Sequence, residues 1–376
     1  MKLSRFALLL GLLALLTVPL AAQDEPHPTQ ATGSVTLELP HLAPPITLVP
    51  LGKPTPPPAN PQIVYILTRI VKGGYLNDLY VMDADGSHKT LLRAAKNWPS
   101  GYQDPNDPWD FYGYNAVGFG APGWSPDKSK IVVVEEDPTY TCGGIAGSHQ
   151  MKRFDLAMVN GALKITGQHL LLDCNGNPPL SNNTITLAWS NDGSRIAYGG
   201  WVEIRTIPAD GYNNSALVYT ESPQDGIEDL TWSPDDSKIA YILLEPQVSN
   251  NSSAIKIYDF ASGVSSYSIT PDLYKRLDGA DWSHNGNWIV FSGSKIGSTD
   301  PIQVWKYDPA VGPDSAVVLD SNSGQWTTWS LDDSKVVFQA DVGTAPWSGI
   351  KSHDVSSGVD TTLCSNSKGG CSNPDN

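Results

Sequence analysis

Hydrophobic and polar positions alternate in short blocks along most of the chain, and one kind of block recurs five times. Each copy begins at a tryptophan, continues through a small polar stretch and ends in a β-branched and aromatic run; the copies start at Trp124, Trp189, Trp232, Trp282 and Trp329. The Ser, Pro, Asp and Gly residues after each tryptophan favour a turn in which Ser and Asx side chains bond the local backbone. The run that follows is typical of a strand. Each copy therefore predicts one β-hairpin.

The spacing of the copies predicts how the hairpins are arranged. Successive tryptophans lie 65, 43, 50 and 47 residues apart, which is the period of propeller blades with four strands each. A third strand and its turn recur at 257–263 and 305–312, and an incomplete first unit begins at 63–66. The sequence therefore predicts an all-β fold, a six-bladed β-propeller of four-stranded antiparallel blades over residues 61–364.

The first unit lacks an inner strand, and this gap raises the question of how the ring closes. An unpaired strand edge invites aggregation, so we expect the edge to be covered. Residues 365–376 contain no apolar run and are predicted to be a C-terminal tail. Residues 23–60 form a proline-rich linker with two apolar runs, at 34–39 and 46–49. One of these runs is our candidate for the ring-closing strand; the alternative is a disordered tether.

The repeat carries a family resemblance. Trp-Ser-Pro-Asp-Asp-Ser-Lys-Ile-Ala-Tyr at 232–241, together with Leu-Tyr-Val-Met-Asp-Ala-Asp-Gly at 79–86, resembles the repeat of the TolB-like β-propellers over roughly residues 61–364. The resemblance implies the fold and says little about function, because propellers host many unrelated activities. TolB has a separate α/β domain before its propeller and works in the envelope of Gram-negative bacteria. This sequence has the proline-rich linker at that place, so a Tol role does not follow.

The N-terminal 22 residues predict export. Lys2 and Arg5 precede an apolar run at 6–16, a pattern typical of a signal peptide, and the run is shorter than the ~20 residues of a membrane span. We therefore expect a periplasmic or extracellular protein that is not an integral membrane protein. An oxidising compartment favours disulfides, and the predicted pairs are Cys142–Cys174 and Cys364–Cys371. The net charge of -15 argues against a nucleic-acid partner, and we expect a monomer.

The predicted strand order gives the propeller two different faces. The turn face carries the short connections from strand one to two and from three to four. The insertion face carries the connections from strand two to three and from blade to blade, and the long insertions fall there. The longest, at 94–121, interleaves aromatic rings with carboxylates that suit contact with a sugar or peptide; the alternative is that the rings pack against blade one. Predicted binding residues are Trp98, Tyr102, Trp109, Asp110, Tyr112, Tyr114, Glu135, Glu136, Asp137, Tyr140 and Arg276.

These observations favour a binding protein that holds a protein, peptide or glycan on its insertion face and needs no cofactor. The alternative is an enzyme, a lyase or hydrolase acting on a polysaccharide or peptide at the mouth of the central channel. For that alternative the candidate acids are Glu135, Asp229 and Asp278, with Arg276 and His149 as helpers. No catalytic residue is assigned, and the seven histidines show none of the paired spacings of a zinc site, so no metal is predicted. A third possibility is a purely structural spacer.

Overall fold

A computed structural model describes residues 62–71, 74–96, 116–136, 141–142, 145–146, 149–176, 186–200, 202–223, 225–245, 252–321, 324–342, 349–365 and 369–375. These residues form 26 β-strands and one short 3-10 turn, Pro313–Ser315. Within the same ranges no helix has the length and apolarity that a membrane span requires. The predicted signal peptide and the proline-rich linker lie outside the described residues.

The strands form six antiparallel blades, as the repeat predicted. Blade one contains β1 (Gln62–Val71), β2 (Gly74–Asp83) and β3 (Thr90–Arg93). Blade two contains β4 (Ala116–Trp124), β5 (Lys130–Glu136), β8 (His149–Val159) and β9 (Ala162–Leu172), with a small hairpin of β6 (Thr141–Cys142) and β7 (Ile145–Ala146). Blade three contains β10 (Thr186–Trp189), β11 (Arg195–Gly200), β12 (Glu203–Pro208) and β13 (Ala216–Thr220).

The second half of the ring repeats this order. Blade four contains β14 (Gly226–Trp232), β15 (Lys238–Glu245), β16 (Ser252–Asp259) and β17 (Val264–Ile269). Blade five contains β18 (Tyr274–Trp282), β19 (Ile289–Lys295), β20 (Gln303–Tyr307) and β21 (Val317–Asp320). Blade six contains β22 (Gly324–Trp329), β23 (Lys335–Ala340), β24 (Gly349–Asp354) and β25 (Asp360–Ser365), and a final strand, β26 (Gly369–Asp375), follows it.

The recurring phrase forms the hairpin between the first and second strands of a blade. In blade three Trp189 pairs with Ile196 across the hairpin. The Ser190 hydroxyl donates to the Asp192 carboxylate at 2.6 Å and accepts the Arg195 N–H at 3.0 Å. The same Ser–Asx turn recurs in blades two, four and six, and with an asparagine in blade five. The local turn chemistry predicted from sequence is therefore confirmed.

Among the described residues the hydrophobic core is divided into six clusters, one between each pair of neighbouring blades. Consecutive residues of a strand contribute to different clusters because their side chains point to opposite faces of the sheet. In β1, Ile63 and Tyr65 pack against blade six, whereas Val64 and Ile66 pack against blade two. All four are buried. Second strands therefore read as continuous apolar runs, and each blade depends on both of its neighbours for burial.

The ring closes at the C-terminus. β26 pairs antiparallel with β1, from Val64 opposite Asp375 to Arg69 opposite Gly369, and supplies the inner strand of blade one. The prediction of a C-terminal tail over 365–376 is therefore corrected, and with it the boundary of the propeller at 364. The position that we assigned to a run between 34 and 49 is filled by β26. The segment was misjudged because Gly, Ser, Asn and Pro carry no apolar pattern, while an inner strand facing a polar channel needs little of one.

A disulfide secures this closure. Cys364 in β25 and Cys371 in β26 are bonded, as predicted, and link the outer strand of blade six to the inner strand of blade one. Both residues are buried. Cys174 is also disulfide-bonded. The side chain of its predicted partner, Cys142, lies outside the described part, so that pair remains a prediction that peptide mapping under non-reducing conditions would check.

Candidate functional site

Most of the predicted binding residues lie outside the described residues: the aromatic and acidic positions between 98 and 114, and also Asp137 and Tyr140. Of the others, Glu135 is only 3% exposed and lies 2.5 Å from Lys152 Nζ on the neighbouring strand β8. Glu136 is half-buried at the end of β5, opposite His149. Arg276 is exposed in β18. The structure thus places Glu135 in an internal ion pair, where it faces a lysine rather than solvent.

Two of the acids proposed for the enzyme alternative lie together. The carboxyls of Asp229 in β14 and Asp278 in β18 lie close enough for a hydrogen bond to influence the pKa of each, and Glu228 is close enough to raise the pKa of Asp278 through its charge. Two carboxyls can bond each other only if one carries a proton. We call Glu228, Asp229 and Asp278 the carboxylate cluster; it joins the inner strands of blades four and five on the insertion-face side of the phrase tryptophans.

Backbone bulges place the carboxylate cluster. The pairing of β14 with β15 shifts register between Glu228 and Leu230, and that of β18 with β19 shifts between Lys275 and Asp278. Asp229 (φ 39°) and Arg276 (φ 53°) occupy the left-handed region at these bulges. Left-handed backbone is costly for residues other than glycine, and such strain is concentrated at functional sites. The bulges therefore re-aim side chains that a regular strand would direct elsewhere.

Gly279 couples the cluster to the next blade. Its N–H donates to Asp229 at 2.7 Å, and its carbonyl accepts a short hydrogen bond from the Thr327 hydroxyl of blade six. The residue has φ +64°, and a Cβ atom here would lie 2.6 Å from Trp326 Cα. Only glycine satisfies both the backbone conformation and the close approach of the two strands.

The environment of the carboxylate cluster favours protonated carboxyls. Burial and, to a smaller extent, the charge of Asp229 raise the pKa of Glu228 to about 7, against the opposing charge of Arg276. Burial also raises the pKa of Asp229, against the hydrogen bond from Gly279. For Asp278, burial and the neighbouring charges of Asp229 and Glu228 raise the pKa well above its usual range. The cluster therefore holds protons near neutral pH and releases them when a positive charge approaches.

The chemistry available to this cluster is cation recognition or proton transfer. Carboxylates attract ammonium and guanidinium groups, and a protonated acid beside an ionised one is also the arrangement of general acid–base catalysis. Within the described ranges no group of three or more His, Cys, Asp or Glu residues is arranged to hold a metal ion.

A second polar site lies at the turn-face end of the central channel. A cavity of about 180 Å³, partly open to solvent, is enclosed there by the ends of the inner strands and by the hairpin turns that follow them. We call it the axial cavity. Trp124, Trp189, Trp232 and Trp282 contribute to its wall, and Lys128, Asp281 and Asp375 bring charge to it. The side chains come from opposite sides of the ring, so the cavity exists only in the closed propeller.

The three charged residues of the axial cavity differ in how well they are satisfied. Asp281 accepts the Trp329 N–H at 2.8 Å and the hydroxyls of Thr231 and Thr328 at 2.9 and 3.0 Å. Asp375 accepts the Trp124 N–H at 2.6 Å. Lys128 Nζ is shielded from solvent and has no hydrogen-bond partner among the described residues. It lies 5.2 Å from the centre of the Trp124 ring.

Burial also controls the charges of these groups. It lowers the pKa of Lys128, against the attraction of Asp375 and Asp281. It raises the pKa of Asp375, where Lys128 opposes the change, and the pKa of Asp281, where the Trp329 N–H opposes it. The wall of the cavity thus carries one lysine and two aspartates, and all three side chains are poorly solvated.

Sequence reasoning missed the axial cavity, although the repeat carries a signal for it. Lys128 (φ 56°) occupies the left-handed turn position that the other copies fill with Gly193, Asp236, Gly286 and Asp333. A lysine there departs from the pattern of its own repeat. Asp281 precedes its tryptophan where the four other copies carry small residues or threonine. The axial cavity is marked by residues that differ from the repeat, and the residues that the copies share do not indicate it. Asp375 lies in the segment taken for a tail and offered no such signal.

Two of the turn aspartates hold neighbouring blades together. The Asp236 carboxylate of blade four accepts the N–H groups of Asn191 and Asp192 in blade three, at 2.7 and 2.9 Å. Asp333 of blade six bonds the turn of blade five in the same way. On the turn face, hydrogen bonds from backbone N–H groups to these carboxylates therefore join blade three to blade four and blade five to blade six.

Comparison with known proteins supports the fold. No family model matches the chain, and no curated protein matches it. TolB from Acinetobacter baumannii is 18% identical with a TM-score of 0.57 over 84% of this chain, and the chain spans 66% of that TolB, just under two thirds. A protein assigned as TolB from Agrobacterium tumefaciens is 20% identical, with a TM-score of 0.53 over 83% of this chain and 92% of its own.

A further match shows how general the architecture is. A chain in the crystal structure of the nidogen/laminin complex is 7% identical, with a TM-score of 0.55 over 84% of this chain and 97% of its own. At such identities the likeness concerns the fold alone. The expected TolB-like propeller is confirmed at that level, and function has to be argued from the sites.

Proposed function

We propose that this protein is an exported binding protein that captures a protein or peptide through basic side chains at the insertion-face side of its channel. The convergence of Glu228, Asp229 and Asp278 on two neighbouring inner strands is the observation that carries the proposal. The sequence left protein, peptide and glycan open as ligands. The carboxylate cluster favours a partner with lysine or arginine, because these side chains neutralise carboxylates that are held close together.

The electrostatics give such binding a defined signature. An approaching ammonium or guanidinium group stabilises the ionised form of the cluster, so it lowers the pKa values there and releases protons to solvent. The net charge of -15 steers a basic partner toward the protein from a distance, and salt weakens that steering. Binding should therefore strengthen as the pH rises through about 7, where Glu228 ionises, and weaken with added salt.

Export is supported by the pattern of residues 1–22 and by the disulfide between Cys364 and Cys371. Disulfides persist in oxidising compartments and are rare in the cytosol. The proposal therefore includes a periplasmic or extracellular location, which fractionation of cells expressing the full chain would test.

The proposal can be tested with a defined probe. A fluorescent nonapeptide of lysine and arginine is titrated into the mature protein and binding is followed by anisotropy, beside a pull-down from envelope extracts. Asp229→Asn with Asp278→Asn removes two carboxylates and keeps their size, so we expect about tenfold weaker binding. Asp300→Asn with Asp314→Asn, both exposed on blade five, changes the net charge equally and should change binding less than about twofold.

The two double variants distinguish binding at the carboxylate cluster from attraction by the net charge of the whole protein. Equal loss in the two double variants would mean that only net charge matters, and the carboxylate cluster would have no special part. No binding of the basic probe to the native protein at low salt would remove the proposal altogether. Thermal melts of all variants show whether each remains folded.

One observation favours a second candidate function, an enzyme that uses the same cluster. The carboxyls of Asp278 and Asp229 are close together and burial raises the pKa of both, which favours one protonated acid beside one that can ionise, as a lyase or hydrolase acting on a polysaccharide or peptide requires. Incubation with defined oligosaccharides and peptides, followed by mass spectrometry, would reveal cleavage. Products that disappear in Asp229→Asn would favour the enzyme over the binding protein.

A further inference from the structure

The axial cavity on the turn face carries unpaired hydrogen-bonding groups that its structural role does not use. We propose that it is a second binding site, separate from the carboxylate cluster, for a neutral polyhydroxylated ring: one sugar unit, either free or at the end of a glycan. The proposal rests on the polar groups, the net charge and the size of the cavity, and it does not depend on the function proposed above.

Two donors at the cavity have no acceptor. Lys128 Nζ and Trp124 Nε1 are both shielded from solvent, and neither has a hydrogen-bond partner in the described part of the chain. The corresponding indoles of Trp189 and Trp232 bond the carbonyls of Gly123 and Ala188 in the preceding blades, at 3.1 and 3.2 Å. The indole of Trp282 bonds the Gly286 carbonyl of its own turn at 3.2 Å, and that of Trp329, which does not line the cavity, has no partner among the described residues. A buried donor without a partner is costly, so Lys128 and Trp124 both favour a ligand that brings acceptors.

Both residues line the cavity although their donor atoms are shielded from solvent. The lysine can turn its donor group toward the cavity. Its ammonium carries three donors on a flexible stem of four carbons, and rotation about the terminal bonds turns Nζ toward the cavity. Departure from the Trp124 face, 5.2 Å away, loses a cation–π contact that a ligand oxygen replaces.

The acids opposite supply acceptors. Asp375 accepts one N–H at 2.6 Å, and a carboxylate has room for about four such bonds. A hydroxyl group satisfies both sides at once, since its oxygen accepts from Lys128 while its hydrogen is donated to Asp375. Adjacent hydroxyls on a sugar ring repeat this arrangement along the cavity.

Net charge selects a neutral ligand. The imidazole of His284 also lines the cavity. While it is uncharged, one ammonium and two ionised carboxylates make the cavity anionic overall, so a free anion is repelled by Asp281 and Asp375. A cation meets the ammonium of Lys128. Asp281 already accepts three hydrogen bonds and has little left to offer a charged ligand. A ligand without net charge and with both donors and acceptors fits best.

The walls and the volume define the size of the ligand. The cavity measures about 180 Å³, below the ~300–1,000 Å³ of sites for drug-sized molecules. It holds a single ring rather than an extended oligosaccharide. Tryptophan and the prolines Pro126 and Pro234 provide apolar wall surface, against which the C–H face of a sugar ring packs while its hydroxyls meet the charged side.

The test begins with the native mature protein. Tryptophan fluorescence is followed during titration with glucose, galactose, mannose and N-acetylglucosamine, because four tryptophans contribute to the wall. A ligand of this size is expected to bind with half-saturation on the order of 1 mM. A glycan array separates the sources: binding of terminal sugars on the array shows a glycan end, and saturation by monosaccharide alone shows a free sugar. Acetate serves as the anion probe.

Variants then assign the binding to the cavity. Lys128→Met keeps the stem and the backbone strain but removes the ammonium, and at least tenfold weaker sugar binding is expected. Lys295→Met is the matched control, since its Nζ also lies over a tryptophan ring, at 4.9 Å from that of Trp305, and its binding should be unchanged. Asp375→Asn, which keeps the size of the side chain, is the second variant should Lys128→Met fold poorly, and it should weaken binding as well.

Several results would overturn the proposal. One is the absence of a fluorescence change with any of the four sugars up to about 100 mM, together with a blank array. Saturable binding of acetate in place of sugar would make the cavity an anion site. Unaltered sugar binding by folded Lys128→Met and Asp375→Asn would place the sugar elsewhere on the protein.

Discussion

Replacement of Gly279 by alanine tests how blades four, five and six depend on one backbone position. The added Cβ would overlap the Thr327 backbone nitrogen and lie 2.6 Å from Trp326 Cα. Backbone atoms of a packed strand cannot move aside as a flexible side chain can. Relief would require the inner strands of blades five and six to separate, which would also disturb the bond between Asp229 and the Gly279 N–H.

The expected loss of stability can be assembled from three contributions. A non-glycine residue in the left-handed region costs about 1–2 kcal/mol. Overpacking against a rigid neighbour costs about 1–3 kcal/mol, and a weakened hydrogen bond to a carboxylate costs about 1.5–3 kcal/mol. We therefore expect Gly279→Ala to lower the free energy of unfolding by about 3.5–8 kcal/mol.

Gly297→Ala supplies the matched control. Gly297 has φ +83°, and a Cβ atom there would have nothing within 4 Å. It should therefore show only the strain of about 1–2 kcal/mol. Urea denaturation followed by tryptophan fluorescence gives both values. If the two variants lose similar amounts of stability, the close approach of the inner strands contributes nothing, and the account of Gly279 as a coupling point between blades is wrong.

Three further predictions concern other parts of the molecule. Cys371→Ser should lower the free energy of unfolding by about 2–3 kcal/mol, because the unfolded chain regains the freedom of the short loop. A reducing agent should then lower the stability of the variant by less than it lowers that of the native protein, because only the disulfide of Cys174 is left to reduce. The pKa of Glu228 is raised to about 7, so the folded protein binds a proton more tightly than the unfolded chain does. Stability should therefore fall as the pH rises from about 4.5 to 7. Glu228→Gln should flatten that part of a profile of melting temperature against pH, and an unchanged slope would contradict the raised pKa of Glu228. Trp109→Ala with Tyr112→Ala should leave the melting temperature unchanged but weaken capture of an envelope partner in the pull-down, whereas unweakened capture would remove the insertion at 94–121 from the binding surface.

The fold could be predicted from sequence because its information is local and repeated. Each copy of the phrase carries its own turn donors, as Ser190 and Asp192 show, and its own apolar strand. Five copies in one register leave little freedom for any other arrangement. Ring closure could not be predicted in the same way. β26 has no apolar alternation, and its place beside β1 depends on a gap that exists only after the other blades have assembled.

The carboxylate cluster and the axial cavity could likewise be predicted only in part. Asp229 and Asp278 were named from sequence as acids near the channel entrance, but their contact depends on two bulges and on the left-handed backbone of Arg276. No residue pattern announces these features. Lys128 was visible in the sequence as an unusual residue of its repeat, and only the closed ring brings it to a cavity that Asp375 of the neighbouring blade one and Asp281 of blade five also line.

The closure of the ring by β26 sets the order in which the chain can mature. Val64 and Asp375 are partners although 311 residues separate them, and bringing such distant segments together is slow. Until β26 arrives, the edge of β1 remains open, and an open edge is a place where other chains attach. A nascent chain interrupted anywhere before residue 369 would keep that edge and present it to proteases and to its own copies. Only a chain synthesised through β26 can cover the edge of β1, so shorter chains stay open to proteolysis and to pairing with other chains.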